Sequence, residues 1–130
     1  MSLDLINDAR RIIIKIGSTL LVDQEKGQIR SEWLKLLAED IKSVRESGPE
    51  IIIVTSGAIA AGRRDLGLVT EELRLEESQA AAACGQVQLT HSYASALQAS
   101  ELIAAQILLT SDDMDNRRRY LNARNTITTL

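Results

Sequence analysis

Phenylalanine is absent from this 130-residue sequence, and one tryptophan with two tyrosines brings aromatics to only 2%. A core of stacked rings is excluded. The interior has to be built from aliphatic and alanine side chains, which suits helices packed closely on a sheet. A single cysteine, Cys84, rules out a disulfide within the chain, and the single histidine, His91, has no cysteine or histidine nearby to form a metal-ligand cluster. The compartment this implies is a reducing cytoplasm. Long apolar runs are also missing. Met1 to Arg11 contains Asp4, Asp8 and two arginines, and the apolar run that follows is broken at Lys15, so this stretch reads as neither a signal peptide nor a membrane span. The net charge of -3 provides no global positive field to recruit nucleic acid or an anionic membrane. No repeat, low-complexity stretch or linker interrupts the chain.

What remains is an ordinary globular composition, 45% hydrophobic and 25% charged, of a length that fits one domain. Ile12 to Ile16 is a β-branched run closed by Gly17, and Ile51 to Val54 is a second, opened by Gly48-Pro49 and closed by Thr55-Ser56-Gly57. Both read as short parallel strands covered on two faces. Between them Ser31 caps a helix whose apolar positions Trp33, Leu34, Leu37, Ile41 and Val44 recur at helical spacing, and Gly48 with Pro49 ends it. This strand, helix, strand unit calls for a right-handed crossover. A second helix is expected from the Ser56 turn to about Leu66, and a longer one from Glu77 to about Gln98. Along the latter, Ala80, Ala83, Cys84, Val87, Ala94 and Leu97 mark the tightly packed face. Ile103 to Leu109 reads as a third strand, followed by a helix from Ser111 or Asp112 to Leu130. The order βαβααβα predicts a partial doubly wound sheet, a three-layer αβα fold. The last helix meets Leu130 with no stop signal, as in a piece of a longer protein.

Two turns carry the candidate chemistry. Lys15 projects from the carboxyl end of an otherwise apolar strand, where open α/β sheets bind ligands. Directly behind it, Gly17-Ser18-Thr19 can aim N–H groups at phosphate oxygens. A simple snorkelling lysine is the structural alternative. The pattern is neither a Walker loop, which needs lysine after its second glycine, nor GxGxxG. Thr55-Ser56-Gly57-Ala58, a strand running into small residues and then a helix, can hold a phosphate or a carboxylate at its N–H groups. The plainer alternative is an N-cap by Ser56. Cys84 and His91 read as packing residues within the alanine-rich helix.

IIIKIGSTLL (Ile12 to Leu21), IIIVTSGAIAAG (Ile51 to Gly62), QAAAACGQ (Gln79 to Gln86), QILLTSDDM (Gln106 to Met114) and NRRRYLNARNT (Asn116 to Thr126) resemble, in order and spacing, the amino-terminal half of glutamate 5-kinases, members of the amino acid kinase family. The kinase part of bifunctional pyrroline-carboxylate synthases is similar over the same segment, and a non-catalytic α/β binding or oligomerisation module is the alternative of another class. The resemblance implies an incomplete carbamate kinase-like fold. Residues 1–130 would form the amino-terminal, substrate-binding half of a kinase domain, with the carboxyl-terminal nucleotide-binding half absent. It also implies ATP-dependent phosphorylation of the L-glutamate side chain with Mg²⁺, the first step of proline biosynthesis. Proline is the implied feedback inhibitor, and a cytoplasmic homo-oligomer the implied assembly. By analogy Lys15 contacts the transferred phosphoryl group, and Gly17 and Ser18 lie along the nucleotide phosphates. Ser56, Gly57 and Ala58 bind glutamate, with Asn122 and Arg124 as subsidiary candidates. In the family a catalytic aspartate, a second lysine and the nucleotide-base pocket come from the other half, so this chain alone is not expected to be a competent kinase.

Overall fold

A computed structural model of the chain describes residue 6 and residues 8–130. In chain order its elements are β1 (Arg11–Ile16), α1 (Ser18–Leu21), β2 (Val22–Asp23), β3 (Gln28–Ile29), α2 (Ser31–Glu46), β4 (Glu50–Thr55), α3 (Ala58–Gly62), α4 (Leu75–Ala99), α5 (Ser111–Asp115) and α6 (Arg117–Thr129). β1 and β4 pair in parallel, with Arg11 opposite Glu50 and Ile16 opposite Thr55. β2 and β3 make a small antiparallel hairpin, Val22 opposite Ile29.

The β1–β4 register sorts the side chains. Ile14 lies opposite Ile53 and both face the core, whereas Ile13 opposite Ile52 and Lys15 opposite Val54 share the other face. That second face is bare: Ile13 is 64% and Val54 48% exposed. Two-sided coverage of these strands is therefore corrected to one-sided. Among the described residues the core packs against the Ile14–Ile53 face, and the αβα arrangement is incomplete.

The core contains no aromatic residue among its fully buried members, which include Ile16, Leu21, Val22, Leu34, Ala38, Ala61 and Leu89. α2 contributes Leu34, Ala38 and Ile41 from one stripe. Burying a side chain such as Leu34 is worth about 1.5–3 kcal/mol. Its start differs from expectation: Arg30 precedes the helix without a side-chain cap, and Ser31 is already its first residue. Its end follows the sequence signal, because Gly48 takes φ +115° and donates its N–H to the Arg45 carbonyl at 2.9 Å, just before Pro49.

The tight face of α4 is the opposite of the predicted one. Ala81, Gly85, Leu89 and Ala96 are buried, whereas Ala80, Ala83, Val87 and Ala94 are exposed; of the predicted set Leu97 does pack on the core and Cys84 is half-buried. The physical reason lies in backbone contact. A Cβ on Gly85 would stand 1.8 Å from the Ala58 carbonyl oxygen, and one on Gly62 would stand 2.0 Å from the Ala81 oxygen. α3 and α4 thus cross glycine against glycine, and the face of α4 that packs inward is the one carrying Gly85, with Ala81 and Leu89 beside it. α3 is also shorter than expected, ending at Gly62 and passing into a turn.

Beyond α4 the predicted third strand is not formed. Ile103 to Leu109 has no assigned strand, and Ile103 is 96% exposed. The segment is strand-like in composition, but a strand needs a paired edge, and among the described residues it has no ladder partner. The single helix expected after Ser111 is split at Asn116, whose side-chain oxygen accepts from the N–H groups of Arg118 and Arg119 and so starts a new helix. No described helix is long and apolar enough to cross a membrane.

Candidate active site

The two turns singled out in the sequence lie side by side at one end of the sheet. Parallel pairing puts the carboxyl ends of β1 and β4 together, and the ladder continues one step further, with the Ser56 N–H donated to the Ile16 carbonyl at 3.2 Å. Lys15, next to last in β1, is exposed, and its side chain makes no hydrogen bond or ion pair among the described residues. The buried Ile16 beside it anchors the strand end. Gly17 has ordinary extended geometry, φ -79° and ψ 157°, and precedes the four-residue α1.

Gly57 determines how closely the turns approach. Its φ of +116° belongs to the region that L side chains rarely adopt. A Cβ there would also lie 3.5 Å from Ser18 Cα, Ser18 Cβ and Val22 Cγ2. The turn after β4 thus rests on the turn after β1. Gly57, not Ser56, is the residue before α3, and no side chain caps that helix. The plainer reading of Ser56 as an N-cap therefore does not hold. Its hydroxyl lies 3.5 Å from the Ile16 carbonyl, at the weak limit of a hydrogen bond, and remains on the exposed rim. The first intrahelical bond of α3 runs from the Ala61 N–H to the Gly57 carbonyl, so the N–H groups of Ala58, Ile59 and Ala60 have no partner within the helix.

Two residues that the sequence reading did not single out hold this turn. The Tyr93 hydroxyl on α4 donates to Thr55 Oγ1 at 2.9 Å, fixing the residue before Ser56. Burial pushes the Tyr93 hydroxyl above the ordinary tyrosine range, and the Thr55 contact opposes this only partly. Gly85 fixes the other side of the turn, through its contact with Ala58. For Tyr93 the sequence held no usable signal, because a lone tyrosine on a helix is not distinguishable from packing. For Gly85 the signal was the glycine inside an otherwise alanine-rich helix.

Other candidates are not brought to this rim by any described contact. Asn122 and Arg124 lie exposed on α6, their carbonyls accepting the Thr126 and Thr128 hydroxyls at 2.9 Å. His91 is exposed and Cys84 half-buried, so the packing role expected for both is limited to Cys84. A concavity of about 700 Å³ lies elsewhere, between the β2–β3 hairpin and α4, lined by Gln28, Arg64, Gln88 and His91 among others. No group of three acidic, histidine or cysteine residues able to hold a metal ion occurs among the described residues.

The exposed Lys15 and the N–H groups that open α3 thus belong to neighbouring strand tips. The sequence is 57% identical over 122 residues to "Glutamate 5-kinase" of Paramagnetospirillum magneticum, covering 94% of this chain and 33% of that protein. It is 57% identical over 118 residues to the protein of the same name from Rhodospirillum rubrum, covering 91% and 32%. With the one from Ruegeria sp. it shares 50% over 125 residues, covering 96% and 34%. The chain therefore spans about a third of the length of these relatives. The model of the amino acid kinase family matches residues 10–130, and the chain belongs to that family.

Proposed function

We propose that the protein to which this chain belongs transfers the γ-phosphoryl group of ATP to the side-chain carboxylate of L-glutamate. A carboxylate oxygen attacks phosphorus, the bond from phosphorus to the β–γ bridging oxygen breaks, and ADP leaves with that electron pair. The products are L-glutamyl 5-phosphate and ADP. The observation that carries the reading is the contact of the Ser18 and Gly57 turns beside an exposed Lys15.

The chemistry asks little of acid–base groups. A glutamate side chain has a pKa of about 4.3 and is ionised at neutral pH, so no general base is needed. The difficulty is that one anion has to approach another, and catalysis consists of alignment and charge neutralisation. Lys15 neutralises the phosphoryl oxygens, Gly17 and Ser18 border the nucleotide phosphates, and Ser56, Gly57 and Ala58 receive the glutamate. Mg²⁺ is the expected companion of ATP and is not assigned to side chains of this chain. The remaining parts of the reading are a cytoplasmic homo-oligomeric enzyme of proline biosynthesis, restrained by proline, with the 130-residue piece inactive by itself.

The test is steady-state kinetics on the full-length enzyme. Lys15→Ala lowers kcat about a hundredfold or more, as loss of one preorganised donor does. An unchanged kcat rejects the assignment. Ser56→Ala mainly raises KM for glutamate, since its contact exists before the transition state. Equal glutamate affinity of mutant and parent in calorimetry counts against that role.

A further inference from the structure

The β2–β3 hairpin touches both ends of α3. At its base Val22, fully buried, has Cγ2 3.5 Å from the Cβ position of Gly57. The same base is tied to α1 by the Arg30 N–H, donated to the Leu21 carbonyl at 2.8 Å. At its tip, Arg64, two residues past the end of α3, donates from Nη1 to the Lys26 carbonyl, and Nη1 lies 3.5 Å from the Glu25 carbonyl. Gly27 makes this approach possible. Its φ is +63°, and a Cβ there would stand 2.9 Å from Arg64 Cδ and 3.1 Å from Arg64 Cβ. The tip itself is preformed, with Asp23 Oδ1 accepting from the Glu25 and Lys26 N–H groups at 3.1 Å each and the Gly27 N–H bonded to the Asp23 carbonyl at 2.6 Å.

We propose that Arg64 is a positioning residue: by latching the hairpin tip to the end of α3, it sets the placement of the Gly17–Ser18 turn against the Ser56–Ala58 turn. The reasoning is mechanical. α1 continues directly into β2, so a hairpin free to pivot carries Ser18 with it. The pivot is the Val22–Gly57 contact, and the Arg64 bonds to two backbone carbonyls are the restraint farthest from it. Neighbouring Arg63 does not share the task, because its guanidinium is spent on the Leu68 and Thr70 carbonyls of the following loop. The functional weight of the latch rests on the phosphoryl-transfer reading. An error of about 1 Å between reacting partners costs roughly a hundredfold in rate.

Two measurements separate the latch from the reaction. In ¹⁵N NMR of this chain, Arg64→Ala shifts or broadens the amide signals of Ser18 and Gly57 as well as those of the hairpin tip, leaves Ile12 to Ile14 unmoved, and Arg64→Lys restores the parent spectrum. In the full-length enzyme Arg64→Ala lowers kcat at least tenfold with both KM values within about threefold, and Arg64→Lys recovers most of the loss. Should Arg64→Ala not fold, Gly27→Ala opens the same contact from the other side and has to give the same shifts. Unmoved Ser18 and Gly57 signals in folded Arg64→Ala overturn the proposal, as does an unchanged kcat beside shifted signals. A parent enzyme that does not phosphorylate glutamate defeats the functional reading instead, and leaves the spectra to decide whether the latch exists.

Discussion

Replacing Gly85 by alanine tests the geometry on which the proposed carboxylate turn depends. In an ordinary exposed helix this substitution stabilises by about 0.5–1 kcal/mol, since glycine loses more backbone freedom on folding. At Gly85 the new Cβ would stand 1.8 Å from the Ala58 oxygen, and 2.7 Å from the Ala58 carbonyl carbon and the Gly62 nitrogen. All three are backbone atoms, so no change of rotamer relieves the clash. Real Cβ atoms essentially never come within 3.0 Å, and α3 therefore has to retreat from α4. Overpacking of this kind costs about 1–3 kcal/mol, and with an immovable backbone the upper part of that range applies. Set against the propensity gain, the net loss is about 2 kcal/mol, which lowers Tm by roughly 6–10 °C in a domain of this size. The assay is thermal melting followed by circular dichroism at 222 nm, with Gly17→Ala as control. Gly17 has a φ of -79° and nothing within 4 Å of an added Cβ, so its substitution shifts stability by less than about 0.5 kcal/mol. A Gly85→Ala melting temperature equal to or above the parent's refutes the backbone contact.

Two further outcomes follow from single side chains. Asn116→Ala removes the cap of α6 and costs that helix about 1 kcal/mol, read as faster amide exchange at Arg118 and Arg119 with little change in the global melt. Tyr93→Phe removes the bond to Thr55 and costs about 1 kcal/mol at neutral pH. Because burial raises the Tyr93 pKa in the folded state, its contribution is intact below the ordinary tyrosine value of about 10 and is lost as pH rises through the higher folded value. Urea titrations therefore show the full difference between parent and Phe variant at pH 8 and a smaller one above pH 10. A constant difference between the two disproves the link.

Where local pattern and long-range packing agree, the sequence was readable. β1, β4, α2 and the Gly48 stop are each specified by neighbouring residues, and the two strand tips follow from parallel pairing alone. The failures share a cause. Ile103 to Leu109 has the composition of a strand, yet forming one depends on an edge that composition does not reveal. On α4 the apolar periodicity pointed away from the real contact, because closeness of two backbones is set by where side chains are missing, and Gly85 carries no hydrophobic signal. Ser56 looked like a cap because serine usually is one, but the glycine after it, held at φ +116°, delays the helix by one residue. The hairpin escaped notice because strands of two residues are too short for any periodicity.

The pairing of β1 with β4 has a thermodynamic corollary. Lys15 and Ser56 come together only after 40 intervening residues have folded back through α2, so the unfolded chain offers nothing comparable to a doubly charged ligand. A molecule that spans both tips would then act as a removable crosslink, clasping two distant stretches of polypeptide. Present at a hundred times its Kd, it would add about 2.7 kcal/mol to the stability of the native state.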